Sequence, residues 1–255
     1  MTIIDGKRTS RKTTSGENST LLSYIHFADG NKGGVGKSFV ARTLYQWFID
    51  HQVPVIGFDT DPEDNPDFSD IYPDIARTVF SETQSQEDAA NVIVNQAAMT
   101  HQPVVVNLPA RAHHPFQAWL AKFDILTLAA EQRIGLVKWF VTTGEADSLR
   151  SLVNSLRACG TAVPHIVVRN RKYDDWSFYN EADDVLALIQ ETHSQVIDLP
   201  RLPARLASTI LNQRLTYDQA RTYQGKSYGI TEQAGVRKFL AQAYGEFERT
   251  GVLPS

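Results

Sequence analysis

With 255 residues, 42% of them hydrophobic, the chain is long enough to bury a full core and is read as one α/β domain over residues 21–255. A single cysteine, Cys159, excludes a disulfide framework and a multi-cysteine metal site within one chain. There is no run of eighteen apolar residues and no hydrophobic secretory core, so a cytoplasmic location without membrane attachment is expected.

Residues 1–20 are polar, aperiodic and rich in Ser, Thr, Lys and Arg, and are read as a flexible N-terminal extension or an added strand. Beyond them, apolar runs alternate with helical patterns. Candidate strands cover 21–28, 53–59, 103–108, 123–130, 162–169 and 195–199. Candidate helices cover 38–50, 87–100, 115–122, 135–159, 179–192 and 231–249. Strands that are continuously apolar and alternate with helices imply a central, mostly parallel sheet with helices on both faces.

Between the first strand and the first helix lies Lys32-Gly33-Gly34-Val35-Gly36-Lys37-Ser38. Strand, glycine loop and helix in this order form a phosphate-binding loop. The glycines let backbone N–H groups turn inward around a phosphate, and the new helix aims its positive dipole end at the same point. Lys37 is positioned to meet the β- and γ-phosphates, and the Ser38 hydroxyl to coordinate Mg²⁺. The chain is therefore expected to bind a nucleoside triphosphate, ATP, as a P-loop NTPase.

The general pattern G-x-x-x-x-G-K-[ST] is not matched, because Asn31 takes the first glycine position. What is matched is the deviant form K-G-G-x-G-K-[ST], and here the chain resembles the MinD/ParA family of ATPases. The resemblance implies that Lys32 reaches across an ATP-dependent sandwich dimer to the partner's phosphates. It places Gly33, Gly34, Val35, Gly36, Lys37, Ser38 and Phe39 on the nucleotide. Asp59-Thr60-Asp61-Pro62, at the end of the second strand, resembles the family's D-x-D-P motif. By that resemblance Asp61 activates or orients the attacking water and Asp59 supports the Mg²⁺ water shell. Lys32, Lys37 and Asp61 are thus the expected catalytic residues, and Ser38 and Asp59 the expected metal-binding ones.

The third motif departs from the family. Val104-Val105-Val106-Asn107-Leu108-Pro109 ends on an amide where the family has aspartate. An amide can still bond a metal-bound water but adds no charge, so weaker Mg²⁺ binding or slower hydrolysis is expected. Further on, Arg169-Asn170-Arg171 resembles the family's adenine-contacting strand end, the alternative for Asn170 being a simple turn residue. Leu199-Pro200-Arg201 resembles the loop that also borders the base, which adds Pro200 to the expected nucleotide contacts. His113 and His114 follow the third motif on a loop without a neighbouring carboxylate, and a surface or interface loop is the better reading than a metal site.

Net charge is −4 and unevenly spread: residues 59–88 hold ten acidic residues against Arg77 alone. Residues 199–255 hold eight Lys and Arg against four Asp and Glu. That basic third is read either as a surface for nonspecific DNA, as in ParA-like proteins, or as an ordinary solvated surface. In 231–249, Val236, Phe239, Leu240, Ala243, Tyr244 and Phe247 share one face, read as core packing rather than a MinD-like membrane anchor. The resemblance implies a partition or positioning ATPase, of the plasmid-stability, conjugal-transfer or carboxysome type, with an adaptor or activating protein as partner. Two alternatives stand beside it: a metabolic P-loop enzyme (a ligase or a metal-insertion ATPase), and a nucleotide-gated adaptor that hydrolyses little.

Overall fold

A computed structural model describes residues 21–61 and 68–254. The expectations for residues 1–20 and for Pro62 lie outside the described residues. The first half contains β1 (Ser23–Gly30), α1 (Lys37–Asp50), β2 (Ile56–Asp59), β3 (Ala76–Arg77), α2 (Asn91–Thr100), β4 (Val104–Asn107), α3 (His113–Lys122) and α4 (Ile125–Glu131). The second half contains β5 (Ile134–Thr142), α5 (Ala146–Cys159), β6 (His165–Asn170), α6 (Ser177–Asn180), α7 (Asp183–Glu191), β7 (Gln195–Leu199), α8 (Ala204–Asn212), α9 (Tyr217–Ala220) and α10 (Ile230–Glu248).

The strands form one seven-stranded sheet in the order β3-β2-β4-β1-β5-β6-β7, and every neighbouring pair is parallel. This is the expected α/β architecture of a P-loop NTPase. Alternation along the strands feeds two faces. Val105, Val137, Trp139 and Val168 pack with α1 and α10 on one face, while Ile25, Phe27, Val104 and Val106 pack with α2, α3 and α4 on the other. Burial on both faces is why these strands read as unbroken apolar runs. The apolar face of α10, Val236, Phe239, Leu240, Ala243 and Phe247, is buried, and the helix lies against α1 and β7. Among the described residues no helix is long and apolar enough to cross a membrane.

Two expected elements are corrected. Residues 123–130 were expected as a strand but form α4. Ile125 and Ala129, one turn apart, are buried, whereas Leu126 and Leu128 remain exposed. A short apolar run does not itself distinguish a strand from one helical face. The expected helix 135–159 begins instead as β5, and the helix starts only at Ala146. Lys138 gives the apolar run a polar interruption that looks helical, yet its side chain is wholly buried in the sheet's centre. Thr142-Thr143-Gly144 then breaks the chain direction, with Gly144 in the left-handed region at φ 81°.

Candidate nucleotide-binding site

Parallel strands deliver their carboxyl ends to one edge of the sheet, and the chemistry-bearing residues gather there. Between β1 and α1 the loop turns with Gly34 at φ 80° and Gly36 at φ 113°. No side chain caps α1 and no acidic residue occupies its first turn, so its leading N–H groups and dipole stay available to an anion. Lys37 is buried and its Nζ donates to the carbonyl of Lys32 at 3.2 Å, spanning the loop from within. Tyr173 Oη donates to the carbonyl of Gly34 at 3.2 Å.

Lys32 points elsewhere. Its Nζ meets Glu145 Oε2 at 3.1 Å and Asp147 Oδ2 at 3.2 Å, on the segment between β5 and α5. Asn31 Nδ2 donates to the same Asp147 oxygen at 3.3 Å. The hydrogen bonds to Glu145 and Asp147 raise the Lys32 pKa, and the bond from Lys32 lowers that of Asp147. All three side chains are about half exposed, so the contact is a weak tether that can be exchanged.

A cavity of about 440 Å³ opens beside the loop. Gly34, Gly36, Lys37, Ser38, Phe39, Asn170 and Pro200, all expected nucleotide contacts, line it together with Arg42, Lys172 and Arg201. Phe39 also packs its ring on Phe239, centroids 5.1 Å apart, which ties this wall to α10. Asn170 is already engaged: its Nδ2 donates to the carbonyl of Val35 at 2.8 Å, and its Oδ1 accepts from the N–H of Lys172 at 3.0 Å. It therefore staples β6 to the P-loop and leaves one N–H and one lone pair for any base.

The acidic motif sits two strands away at the same edge. Asp59 and Asn107 are register partners on β2 and β4, and both are about 1% exposed. Asn107 Nδ2 donates to Asp59 Oδ1 at 3.0 Å, and the N–H of Ser69 donates to Asp59 Oδ2 at 3.1 Å. The N–H of Asp61 lies 3.3 Å from Asp59 Oδ1. Asn107 Oδ1 is buried with no hydrogen-bond partner. That orphaned acceptor suits a donor such as a metal-bound water, so the residues present fit Mg²⁺. Asn107 thus binds one carboxylate with its amide nitrogen and offers its oxygen to the site, where an aspartate would repel Asp59. We predict that Asn107→Asp lowers the stability of the ligand-free protein by about 1–3 kcal/mol, through two buried carboxylates in contact. It should also tighten Mg²⁺-dependent nucleotide binding. Urea denaturation and Mg²⁺ titration of ATP binding check this; a variant as stable as the parent with unchanged Mg²⁺ dependence would refute it.

One buried ion pair beside the site went unanticipated. Asp29, at the end of β1, accepts from the N–H of Gly30 at 2.7 Å and pairs its other oxygen with Lys138 Nζ at 2.7 Å. Lys138 also donates to Ser155 Oγ at 3.3 Å and lies 4.3 Å above the Phe116 ring. His165 Nδ1 faces the carbonyl of Val163 at 2.8 Å, so that nitrogen carries the proton and Nε2 accepts from Ser155 Oγ at 2.8 Å. Burial, and then the nearby Lys138 charge, push His165 down to about 4, which keeps it neutral. Every member of this chain is satisfied, and its end holds the N–H of Gly30, the last residue of β1 before the P-loop. The one signal in the sequence is a lysine inside an apolar run, facing an aspartate at the end of another.

His114 Nδ1 bonds Glu82 Oε1 at 2.7 Å, and among the described residues no group of three metal-ligating side chains occurs. The description "CobQ/CobB/MinD/ParA nucleotide binding domain" matches residues 27–213, most of the chain. The chain belongs to this family. Its P-loop ATPases support a general ATPase activity here. The chain is 24% identical over 203 residues to Protein MobD of Acidithiobacillus ferrooxidans, covering 78% of this chain and 87% of that protein. The MinD cell division protein of Aquifex aeolicus superposes with TM-score 0.50 and 12% identity, over 86% of this chain and 97% of MinD. A chain of the MinC:MinD cell division protein complex from the same organism gives TM-score 0.50 and 13% identity, over 86% of this chain and 96% of that chain. At such identities the family's fold is shared.

Proposed function

We propose that this chain is a ParA-type positioning or segregation ATPase whose switch is an ATP-dependent sandwich dimer. The observation that carries this reading is the division of labour between two lysines. Lys37 lies across its own loop, whereas Lys32 is held outside it by Glu145 and Asp147. A lysine that does not serve its own phosphate cradle is free to serve another's once its weak tether is exchanged for phosphate oxygens. Such a contact exists only with the triphosphate in place, so it favours the dimer differentially.

Within one subunit, the loop N–H groups and Lys37 would bind the β- and γ-phosphates, and Ser38 and Asp59 would hold Mg²⁺ and its water shell. Asn107 Oδ1 would accept from that shell, and Asp61 would orient the attacking water. Bound Mg²⁺ would neutralise charge on the phosphate oxygens. The cavity between Phe39, Asn170 and Pro200 takes the base. Nonspecific DNA would meet the basic third of the chain. The MinC:MinD complex, formed by a protein of the same fold, supports an adaptor or activating partner. The Asp59–Asn107 pair carries one negative charge rather than two, which favours slow turnover and keeps the nucleotide-gated adaptor as a second reading.

Light scattering with Mg-ATP and with Mg-ADP, repeated on Lys32→Ala, tests the switch. A dimer with ATP, a monomer with ADP and a monomeric variant are expected. One mass in all nucleotide states, with binding verified, would overturn the sandwich mechanism. Filter binding of random-sequence duplex at two salt concentrations tests the DNA arm, expected only for the ATP form and weaker at high salt.

A further inference from the structure

A phosphate-binding loop must aim N–H groups inward, yet glycine leaves the facing of its peptides open. Gly34 lies at φ 80°, and a Cβ there would meet nothing within 4 Å, so packing does not stop the following peptide from turning over. The restraint comes from the end of β6 and the segment after it. Tyr173 Oη donates to the Gly34 carbonyl at 3.2 Å, and Asn170 Nδ2 donates to the Val35 carbonyl at 2.8 Å.

Across a planar trans peptide, the C=O and the next N–H point in opposite directions. Holding these two carbonyls towards Asn170 and Tyr173 therefore turns the N–H groups of Val35 and Gly36 away from them. Among the described residues neither N–H has a hydrogen-bond partner, although Val35 is wholly buried. Two successive unpaired N–H groups at the start of a helix form a nest for an anion.

Tyr173 is itself held in place. Its N–H donates to the Asn170 carbonyl at 3.1 Å, and its carbonyl accepts from Trp176 Nε1 at 2.9 Å. Trp176 is buried in the cluster formed by α5, α6 and α7, and Gly144 packs so closely on it that a Cβ would stand 2.9 Å from the ring. Residues 170–176 are thus a strap anchored in the core and laid along the P-loop. Burial, and then the Glu145 charge, push the Tyr173 phenol up, so it keeps its proton at neutral pH and remains a donor.

We infer that Tyr173 is a positioning residue for phosphate binding: its hydroxyl pins the Gly34 carbonyl, which presents the Val35 N–H to the β-phosphate. This rests on the nucleotide-site reading above. Asn170 has the same hold on the Gly36 N–H, but it also lines the cavity for the base, whereas Tyr173 does not. Tyr173 is therefore where the effect on phosphate separates from the effect on the base.

The test titrates the parent and Tyr173→Phe, which keeps the ring and removes the donor, with Mg-ADP and with AMP by calorimetry. AMP carries the base and ribose but no β-phosphate. Mg-ADP should bind about fivefold more weakly to the variant, the loss of one hydrogen bond, with AMP affinity and the urea midpoint unchanged. In ¹⁵N-labelled chains the Val35 amide resonance should move downfield on adding Mg-ADP to the parent, and clearly less in the variant. Parental Mg-ADP affinity in Tyr173→Phe overturns the proposal, and so does an equal weakening of Mg-ADP and AMP, which would mark a general loosening of the loop. A parent that binds neither ligand overturns the nucleotide-site reading itself, and this proposal with it.

Discussion

Lys138→Ala is expected to lower the stability of this protein by about 3–5 kcal/mol, the cost of leaving one buried charge without its partner. Lys138 is wholly buried and Asp29 nearly so, and their contact is 2.7 Å long. Deleting the lysine strands a carboxylate in the middle of the sheet. Replacing both partners by apolar groups, as in Asp29→Leu with Lys138→Met, should recover most of the loss, because neither charge then needs solvation. The pH dependence separates this account from simple loss of packing. In the parent, burial alone would raise the Asp29 carboxyl, but the charge and hydrogen bond of Lys138 outweigh it and hold the group below its ordinary value. The pair therefore stabilises fully above the unfolded-state value near 3.9, and that contribution fades as pH falls through the depressed native value. In Lys138→Ala burial, the largest influence on Asp29, is opposed chiefly by the smaller effect of the Gly30 hydrogen bond, so Asp29 titrates higher in the folded than in the unfolded state, and the variant loses stability as pH rises. The gap between parent and variant should be widest at neutral pH and close towards pH 3. Urea denaturation across that range measures it, and a gap below about 1 kcal/mol at pH 7.5 would mean that the pair does not carry the proposed energy.

The double variant also asks what the pair does for the P-loop. Asp29 accepts the N–H of Gly30, the last strand residue before the loop. If stability returns in Asp29→Leu/Lys138→Met but nucleotide affinity stays reduced, the carboxylate sets the angle at which the loop leaves β1.

What could be seen in the sequence was what lies close along the chain. The P-loop declares itself in seven consecutive residues, because glycine freedom, a lysine and a hydroxyl are all needed within one turn of chain. Asp59 likewise follows from its place at the end of an apolar run. What escaped depends on distant partners. Lys138 looks like a helix's polar face until Asp29, 109 residues earlier, is set beside it. The bond from Asn170 to Val35 spans 135 residues, so the amide was read for its chemistry towards adenine and its hold on the loop went unseen. Residues 123–130 failed for a different reason. Leu126 and Leu128 are exposed on α4, so the run is apolar beyond what burial requires, and pattern alone had no polar face to find.

Gly36→Ala should weaken Mg-ADP and Mg-ATP binding at least a hundredfold, about 3 kcal/mol, while the sheet stays folded. Gly36 has φ 113° and ψ 19°, outside the region open to residues with a Cβ. A Cβ there would lie 2.6 Å from Asn170 Nδ2. That nitrogen cannot retreat cheaply, since it is bonded to Val35 and the same amide accepts from Lys172. The loop must therefore move, turning the N–H groups of residues 35–37 away from the phosphate at the position where α1 begins. Two companions locate the cause. Gly33→Ala has no atom within 4 Å of its new methyl and no positive φ, so its stability should match the parent's within about 0.5 kcal/mol. Gly36→Ala with Asn170→Ala removes the collision but neither the backbone strain nor the lost staple, and should regain only part of the affinity. Calorimetric titration of the three variants with Mg-ADP decides the matter: parental affinity in Gly36→Ala would show that the left-handed turn is dispensable, and full recovery in the double variant would reduce its role to avoiding one amide.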